Sequence, residues 1–594
     1  MKPNRLRIAL AVAGLATLAA APAVSTGGGA FDPLLDGGAV CTARSGGPPV
    51  VLRSLILART ETAPFQPVPA QPALGDAPLL YHNLGTLTFK AGTRDARAQA
   101  WFDQGIRLSF AFNHAEAQRA FREAQKRDPA CALCYWGEAL ILGPNINVPM
   151  MPEANAPALD ALGKAVARAA GAPPRDRALI AALEKRYSAD PKAERAALDA
   201  AYAAAMADVA KQFPQDDTVQ ALYAEALMDT QPWDYWSAGG TTPKGNGAAI
   251  LSALETVLRR NPSHPGAIHL YIHAVEASTQ PEKALPYATR LGALMPGAGH
   301  IVHMPAHIYY RVGLYRESLA TNQRAMSVDE RYFATSPSDP LYKSAYYPHN
   351  IHFLMVSAQM GGDGKAAIAA AGKLDASMPV EMVRQFAIMQ PVKAAPYTTH
   401  AQFSSPDTIL KLPAPPADLV LVATMYHYAR AIAFAGRKDF ASAQSEIDTL
   451  AHIERDADFK PFGDWGIPAK EIVQTARLVA TGRLADAKGD LDAAAKAYED
   501  AVFIEDTLAY TEPPYWYYPV RQSLGSVRLR QGKLDDAEKA FRESLLRVRS
   551  NGWALAGLAE TYKRKGDAVG EKAARRAYAN AWFGSPAGPP LSAL

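Results

Sequence analysis

The chain has few cysteines, no strong charge of either sign and no familiar catalytic signature. Its three cysteines include one C-x-x-C pair, Cys131 and Cys134, but no histidine follows the pair, so covalent attachment of haem c is excluded. The G-x-S-x-G, H-E-x-x-H, Walker and dinucleotide-binding glycine motifs are all absent from the sequence. These absences argue against standard hydrolase, nucleotide-hydrolysing and dehydrogenase functions, and they predict no nucleotide cofactor.

Long hydrophobic runs are also missing beyond the N-terminus. There, three basic residues precede an apolar run over residues 8–21 and a small-residue site at 21–23, which is the pattern of a secretory signal peptide. No later segment has the roughly 20 uninterrupted apolar residues that a membrane-spanning helix needs. We therefore expect a signal peptide at residues 1–23 and a periplasmic or secreted protein with no membrane span in its mature form. A retained membrane anchor is the weaker alternative.

Charge gives little support for a nucleic-acid partner. Removal of residues 1–23 takes away three basic and no acidic side chains, which lowers the net charge from +4 to +1. Affinity for phosphates depends on clustered lysine and arginine, and the sequence has no strongly basic field. We therefore expect no nucleic acid among the partners. Residues 24–78 are rich in Gly, Pro, Ala and Ser, which predicts a flexible leader.

The rest of the chain favours an array of helices. Hydrophobic residues make up 49% of the chain and alanine dominates, without long β-branched runs. A length of 594 residues is too great for one compact core but suits a set of repeats. One segment resembles the tetratricopeptide repeat (TPR), a 34-residue helix pair in which small residues let the helices approach and proline ends the second helix. The residues that match its signature are Trp101, Gly105, Ala117, Phe121, Ala124 and Pro129.

Further copies of this pattern continue along the chain. Pro262 and Pro296 close two helix pairs one 34-residue period apart. Glycines mark the turns within other pairs: Gly313, Gly362, Gly436, Gly489, Gly532 and Gly566. The resemblance covers most of residues 95–580 and implies an all-α, right-handed TPR superhelix, an α-solenoid of about nine to ten helix pairs. We divide it into an N-terminal TPR region (79–230), a central histidine-rich TPR region (231–374), an insertion or linker (375–415) and a C-terminal TPR region (416–594).

Histidine is concentrated in the central region, where eight of the 13 histidines lie between residues 264 and 352. An offset of 34 residues relates His269 to His303 and His273 to His307. An offset of 49 residues relates His300 to His349 and His303 to His352. Seven histidines thus occupy only three repeat positions: His269, His273, His300, His303, His307, His349 and His352. Histidines three or four residues apart share one helix face. By resemblance to TPR proteins, that face lines the concave groove.

This repeated register predicts a transition-metal site. Imidazoles from neighbouring helices can converge on one ion at about 2.0 Å, and neutral imidazole is the commonest transition-metal ligand. A nitrogen-rich site favours copper, then zinc, and a carboxylate ligand would also admit iron. Glu276, on the same stripe as His273, is a candidate ligand or general base. Any single histidine is better explained as a polar groove or packing residue with ordinary partners, so the argument depends on the register.

Two other features leave alternatives open. Cys131 and Cys134 form a disulfide, form a redox dithiol, or are simply two small residues at a helix junction. The run 510–521 concentrates aromatic residues with a carboxylate and an arginine. We interpret it as packing at the edge of the solenoid, in preference to a platform that stacks a ligand. Residues 233–236 are interpreted in the same way.

Four segments, 101–105, 143–147, 269–276 and 299–309, resemble those of large bacterial exported TPR proteins with a histidine-rich central region. This resemblance implies the fold and export, and it leaves the chemistry open. We expect an exported protein that binds a peptide or protein ligand in its concave groove and carries a transition-metal ion there. The alternatives are a metalloenzyme with the histidines as ligands and Glu276 as general base, and a metal-free structural scaffold.

Overall fold

Helices account for nearly all regular structure in the computed structural model, which describes residues 78–336, 340–463 and 465–594. The predicted signal peptide and all but the last residue of the predicted leader lie outside the described residues. Those ranges contain no β-strand, and none of their helices is long and apolar enough to cross a bilayer. The α-helices are α1 (Ala96–Ser109), α2 (His114–Arg127), α3 (Ala132–Ile141), α4 (Asn155–Arg168), α5 (Pro174–Leu183), α6 (Arg195–Gln212), α7 (Asp217–Asp229), α8 (Gly247–Arg260), α9 (Pro265–Glu276), α10 (Leu285–Leu294), α11 (Gly299–His303), α12 (Pro305–Arg311), α13 (Tyr315–Thr335), α14 (Pro340–Gly361), α15 (Gly364–Ser377), α16 (Val380–Gln385), α17 (Gln390–Phe403), α18 (Pro406–Ile409), α19 (Val420–Gly436), α20 (Phe440–Asp456), α21 (Lys460–Gly463), α22 (Ala469–Ala487), α23 (Leu491–Glu505), α24 (Val520–Arg530), α25 (Leu534–Arg547), α26 (Gly552–Lys565) and α27 (Ala568–Ala581).

Successive helices pack as pairs, and the pairs stack into an α-solenoid of the TPR type, as the sequence predicts. The pairs are α1 with α2, α3 with α4, α5 with α6, α7 with α8, α9 with α10, α11 and α12 with α13, α14 with α15, α19 with α20, α22 with α23, α24 with α25, and α26 with α27. These eleven pairs slightly exceed the nine or ten expected. The expectation divided chain length by the 34-residue period with an allowance for insertions, and that allowance was slightly too large.

The packing of the first repeat accounts for the residues of its TPR signature. Phe121 on α2 is fully buried, and its ring occupies the space that a Cβ on Gly105 or on Gly137 would need. Phe121 therefore fills the junction of α1, α2 and α3, because glycine leaves room for it on both neighbouring helices. α2 ends at Arg127, two residues before Pro129. The pattern of small residue, aromatic residue and proline thus corresponds to one packing unit.

Most of the predicted turn glycines adopt the backbone conformation that glycine tolerates best. Five of the six have positive φ angles of 72° to 84°: Gly313, Gly362, Gly489, Gly532 and Gly566. Gly436 differs, because it is the last residue of α19, and Lys438 takes the left-handed conformation in its place with φ 60°. The turn therefore follows α19 as the sequence predicts, but its left-handed residue comes two residues after the predicted glycine.

Residues 375–415, which the sequence set apart as an insertion or linker, contain three helices, α16, α17 and α18. The longest of them, α17, packs between α15 and α19 and takes the place of one helix layer in the stack. Pro391 lies at its first turn and Pro396 lies in its interior. Proline normally ends or kinks a helix, so these two residues led to the prediction of a linker in place of a helix.

Contacts between distant parts of the chain close the solenoid around its centre. The amide of Gly297 donates to the Asn83 carbonyl at 2.8 Å, and Phe583 donates to the Gly361 carbonyl at 2.9 Å. One hydrophobic core extends from Leu84 to Tyr346, and a second from Ala306 to Val527. The helices that carry the central histidines contribute to both cores.

Candidate metal centre

Six histidines from α9, α11, α12 and α14 meet in the interior of the solenoid. Five of them are at most 1% exposed, namely His269, His273, His300, His303 and His307, and His349 is partly buried. Met304 lies between α11 and α12 with helical angles (φ −49°, ψ −38°), and α12 begins at Pro305. His303 on α11 and His307 on α12 face each other, with their Nε2 atoms 2.7 Å apart.

The six histidines form two groups of three. In the first triad, His269, His273 and His300 each offer one ring nitrogen, and these atoms lie within 4.8 Å of one another. In the second triad, His303, His307 and His349 do the same. The Nε2 atoms of His269 and His300 are 3.1 Å apart, and those of His307 and His349 are 3.5 Å apart. Two ligands at about 2.0–2.1 Å from one ion stand roughly 3 Å apart, so these two pairs, like His303 and His307 at 2.7 Å, have the spacing of ligands on one ion.

The hydrogen bonds of the Nδ1 atoms, which face away from the triads, determine whether the Nε2 atoms carry lone pairs. The Nδ1 atom of His269 lies 2.6 Å from the Phe110 carbonyl oxygen, which can only accept, so His269 donates through Nδ1. His303 donates through Nδ1 to Oδ1 of Asn322 at 2.6 Å, because the Asn322 amide nitrogen donates to the Ser318 carbonyl. In a neutral imidazole the other nitrogen is then an acceptor, and metal-binding histidines are typically held in this way.

Glu276 holds one histidine of each triad. Its Oε1 atom lies 2.8 Å from Nδ1 of His273, and its Oε2 atom lies 2.9 Å from Nδ1 of His307. Oε2 also accepts the Tyr510 hydroxyl at 2.9 Å. Glu512 makes a second contact with Nδ1 of His307. Both oxygens of Glu276 are therefore occupied by groups that surround the triads.

Burial and the two carboxylates set the protonation of the cluster. Burial holds the pKa of His269, His300, His303 and His349 well below the usual range, with neighbouring histidine charges adding to the effect. Burial would also lower the pKa of His307, but Glu512 and Glu276 outweigh it and raise that pKa to about 10.

The two glutamates differ in charge. Burial would raise the pKa of Glu276, but the His307 charge and several hydrogen bonds hold it well below its usual range. Burial and the neighbouring Glu276 charge keep the pKa of Glu512 well above its usual range. In the absence of a bound ion the cluster therefore combines neutral imidazoles, the form that binds metal ions, with a protonated His307 and an ionised Glu276.

Aromatic side chains cover the cluster. The Phe112 ring lies 4.5 Å from that of His269, and Trp233 lies edge-on to His273 at 5.0 Å. Tyr346 covers His300 at 4.7 Å between ring centroids. The histidines therefore do not line an open concave groove, as resemblance to TPR proteins had placed them. The groove is filled at this level, because turns and loops from distant repeats extend into it.

Two further histidines lie outside the triads. His352 is buried, but it joins neither triad, and among the described residues its Nδ1 has no hydrogen-bond partner. It lies three residues after His349 on α14. His264 caps the N-terminus of α9, where its Nδ1 accepts the Ala267 amide.

Sequence reasoning missed three groups that contact the triads: Glu512, Asn322 and the Phe110 carbonyl. The concentration of a carboxylate among aromatic residues at 510–521 was the only sequence signal for Glu512. Its contact with His307 joins residues 205 positions apart, a separation that no repeat period predicts.

Of the three alternatives for the C-x-x-C pair, the structure has the disulfide. Cys131 and Cys134 form it at the start of α3.

No protein-family profile matches the chain, and no curated protein matches it. Similar solved structures include the APC/C hetero-tetramer Cut9-Hcn1, at 12% identity and TM-score 0.27, with 85% of this chain and 77% of that chain covered. The human IFIT1 dimer with PPP-AAAA gives 13% identity and TM-score 0.33, covering 81% and 96%. The P58(IPK) TPR domain gives 11% identity and TM-score 0.20, covering 79% and 99%. Likeness at this level says nothing about ligands, so the function has to be argued from the histidines themselves.

Proposed function

We propose that this protein binds a transition-metal ion through His303, His307 and His349. One observation carries the proposal: Nε2 of His303 and Nε2 of His307 face each other at 2.7 Å while both Nδ1 atoms contact hydrogen-bond acceptors. Two neutral imidazoles in this arrangement would oppose their lone pairs. A metal ion bound by both removes this conflict, and the outer acceptors then fix each ring for coordination.

A proton on His307 is the competing explanation. An imidazolium there would donate through Nδ1 to the carboxylates and through Nε2 to His303. This arrangement satisfies two rings, but it gives no role to His349, whose Nε2 also points at His307 Nε2 from 3.5 Å. Three converging nitrogens fit an ion better than they fit one proton. An all-nitrogen triad favours copper, then zinc, and iron becomes suitable if Glu512 also coordinates.

The test is a metal measurement on the purified full chain and one double variant. After dialysis, or after reconstitution with Cu(II) or Zn(II), we expect bound metal by inductively coupled plasma mass spectrometry. His303→Ala with His349→Ala should remove at least one equivalent without loss of helicity in circular dichroism. The matched control is His452→Ala, because this histidine is exposed. A wild-type chain that retains no metal even after reconstitution would support the protonated network and end the proposal.

Partner binding by the solenoid is a companion proposal. Solenoids of stacked helix pairs form extended concave surfaces that bind other chains. At the histidines this surface is covered by Phe112, Trp233 and the segment from Tyr510 to Glu512. We therefore propose that a peptide or protein partner binds other parts of the solenoid. Pull-down of a candidate partner with metal-loaded and metal-free protein should then give equal recovery, and recovery that depends on metal would contradict this separation.

A metalloenzyme is the second candidate, and one cavity favours it. This cavity of about 310 Å³ is lined in part by Gly299, Asp329 and Tyr342. Tyr342 also accepts the backbone amide of His300 at 3.2 Å, so the cavity wall adjoins the first triad. Catalysis requires an open coordination position. Azide added to Cu(II)-loaded protein should produce a new charge-transfer band if that position exists, and an unchanged spectrum would favour a binding role.

A further inference from the structure

The first triad has the same construction as the second. His269 and His300 bring their Nε2 atoms to 3.1 Å, and His273 offers a ring nitrogen within 4.8 Å of the other two. All three side chains are at most 1% exposed. The second triad is adjacent, because the His273 and His307 ring centroids are 5.4 Å apart and those of His300 and His303 are 5.9 Å apart.

The hydrogen bonds of two members of this triad, His269 and His273, also direct lone pairs inward. His269 donates through Nδ1 to the Phe110 carbonyl, and Nδ1 of His273 contacts Glu276. The Nε2 atom of His273 is buried and has no hydrogen-bond partner among the described residues. A buried polar atom left without a partner is costly in free energy. Coordination of an ion would satisfy it.

Glu276 forms hydrogen bonds with both triads, and Glu512 lies beside it, 3.9 Å from Nδ1 of His273 and in contact with Nδ1 of His307. Each of its oxygens accepts a hydrogen bond from Nδ1 of one ligand candidate, His273 in the first triad and His307 in the second. Fixing either ring fixes the carboxylate, and the carboxylate in turn fixes the other ring. Its negative charge also lies between two positions where cations would otherwise repel each other.

We propose that His269, His273 and His300 bind a second transition-metal ion, and that Glu276 couples the two sites as a shared positioning residue. This inference rests on the proposed function, because it adds a second ion beside the first. Two ions then bind with positive cooperativity, since the first ion orders the carboxylate that orients a ligand of the second. Glu276 acts through its hydrogen bonds to His273 and His307, with no oxygen free to serve as a general base.

The stoichiometry of single-triad variants tests the second site. The wild-type chain, titrated with Cu(II) or Zn(II) in a calorimeter, should bind two equivalents. His269→Gln with His300→Gln should bind one equivalent, and so should His303→Gln with His349→Gln. Glutamine keeps much of the side-chain volume, which protects the fold, and circular dichroism checks it. In the Cu(II)-loaded wild type, electron paramagnetic resonance should show magnetic coupling between the ions, and each double variant should lose that coupling.

Different results separate the failure of the two proposals. One equivalent in the wild type that disappears only in the His303/His349 variant would overturn the site at His269, His273 and His300. It would leave the site at His303, His307 and His349 intact. One equivalent that disappears only in the His269/His300 variant would overturn the site in the proposed function. No binding in any form would overturn both.

Glu276→Gln tests the coupling. Glutamine offers one acceptor oxygen and a donating NH2 group, so it cannot accept from both His273 and His307. We expect both affinities to fall about 10- to 100-fold, as for other groups that orient metal ligands, and the cooperativity to disappear. Glu282→Gln is the control, because Glu282 bonds Arg549 away from the cluster. Unchanged affinity and cooperativity in Glu276→Gln would contradict the coupling.

Discussion

Gly105 shows how the absence of one side chain sets the distance between two helices. It lies on α1 against the ring of Phe121, which is fully buried and also abuts Gly137 on the next repeat. The ring has no free space to move into, because protein cores are packed about as densely as organic crystals. A single methyl group at this position must therefore displace the Phe121 ring or one of the helices around it.

We expect Gly105→Ala to destabilise the protein by about 1–3 kcal/mol, the usual effect of overpacking a core. Gly163→Ala is the matched control, since it lies within α4 and an added Cβ there would have no neighbour within 4 Å. That change should stabilise the helix by about 0.5–1 kcal/mol, because glycine loses more backbone entropy on folding than alanine. Thermal unfolding of both variants measures the difference. Equal shifts in the same direction would show that Phe121 can adapt.

At the scale of single residues, the sequence predicts which histidines belong to the candidate site better than it predicts the contacts between them. The repeat register selects seven histidines, of which six converge, because equivalent positions on stacked helices lie side by side. It does not predict that they separate into two triads, in which His300 and His303 belong to different groups although both lie on α11. It also does not predict Glu512, whose approach to His307 depends on a loop that follows no repeat pattern.

Among the elements, the loop between α23 and α24 is the connecting segment that reaches the candidate site from the C-terminal repeats. It supplies Tyr510 and Glu512, and it is closed at its base by Glu505, the last residue of α23. Both Glu505 oxygens accept the amide of Val520, the first residue of α24, at 3.3 and 3.2 Å. Burial raises the pKa of Glu505 to about 7, although Arg547 and Arg521 oppose the shift.

This pKa predicts a defined pH dependence of stability. The folded chain takes up a proton at Glu505 near pH 7, whereas the unfolded chain does so near the ordinary value of 4.5. Between these values the folded state binds more protons, so this contribution to stability is present below about pH 4.5 and is lost as pH rises through 7. A shift of this size corresponds to at most roughly 3 kcal/mol.

Glu505→Gln should remove that contribution. We expect the unfolding temperature of the wild type to fall more steeply than that of the variant as pH rises from 5 to 8. Glu153→Gln, at an exposed position, is the control and should follow the wild type. Parallel curves for wild type and Glu505→Gln would mean that this carboxyl does not titrate with folding.

The elements themselves divide into those that the sequence predicts and those that it hides. α1 and α2 follow from a complete TPR signature, and the turn glycines mark later pairs. α17 has no such signature and contains Pro396, yet it packs as a full layer between α15 and α19. Tertiary contacts determine this helix, and no local pattern in the sequence reports them.

Over the whole molecule, the two largest hydrophobic cores of the described residues meet at the histidines. The first core includes Ile268 and Ile301, which flank histidines on α9 and α11, and the second includes Ile351 and Phe353 on α14. The second triad takes His303 from α11 and His349 from α14. An ion bound there would cross-link the two cores. The length of the chain and its repeat pattern predict a solenoid, but they do not predict this closure, which depends on contacts such as Phe583 with Gly361.

We therefore expect metal to change how the whole molecule unfolds. Without metal, scanning calorimetry should show separate transitions for these two large cores, since large proteins with separate cores seldom unfold in one step. Saturating metal binds only the folded arrangement, and at 100 times the dissociation constant each site adds about 2.7 kcal/mol. Because the ion has ligands from both cores, it should raise the lower transition until the two merge. His303→Ala with His349→Ala should keep two transitions at every metal concentration, and a wild type in which metal shifts one transition alone would place the ion within a single core.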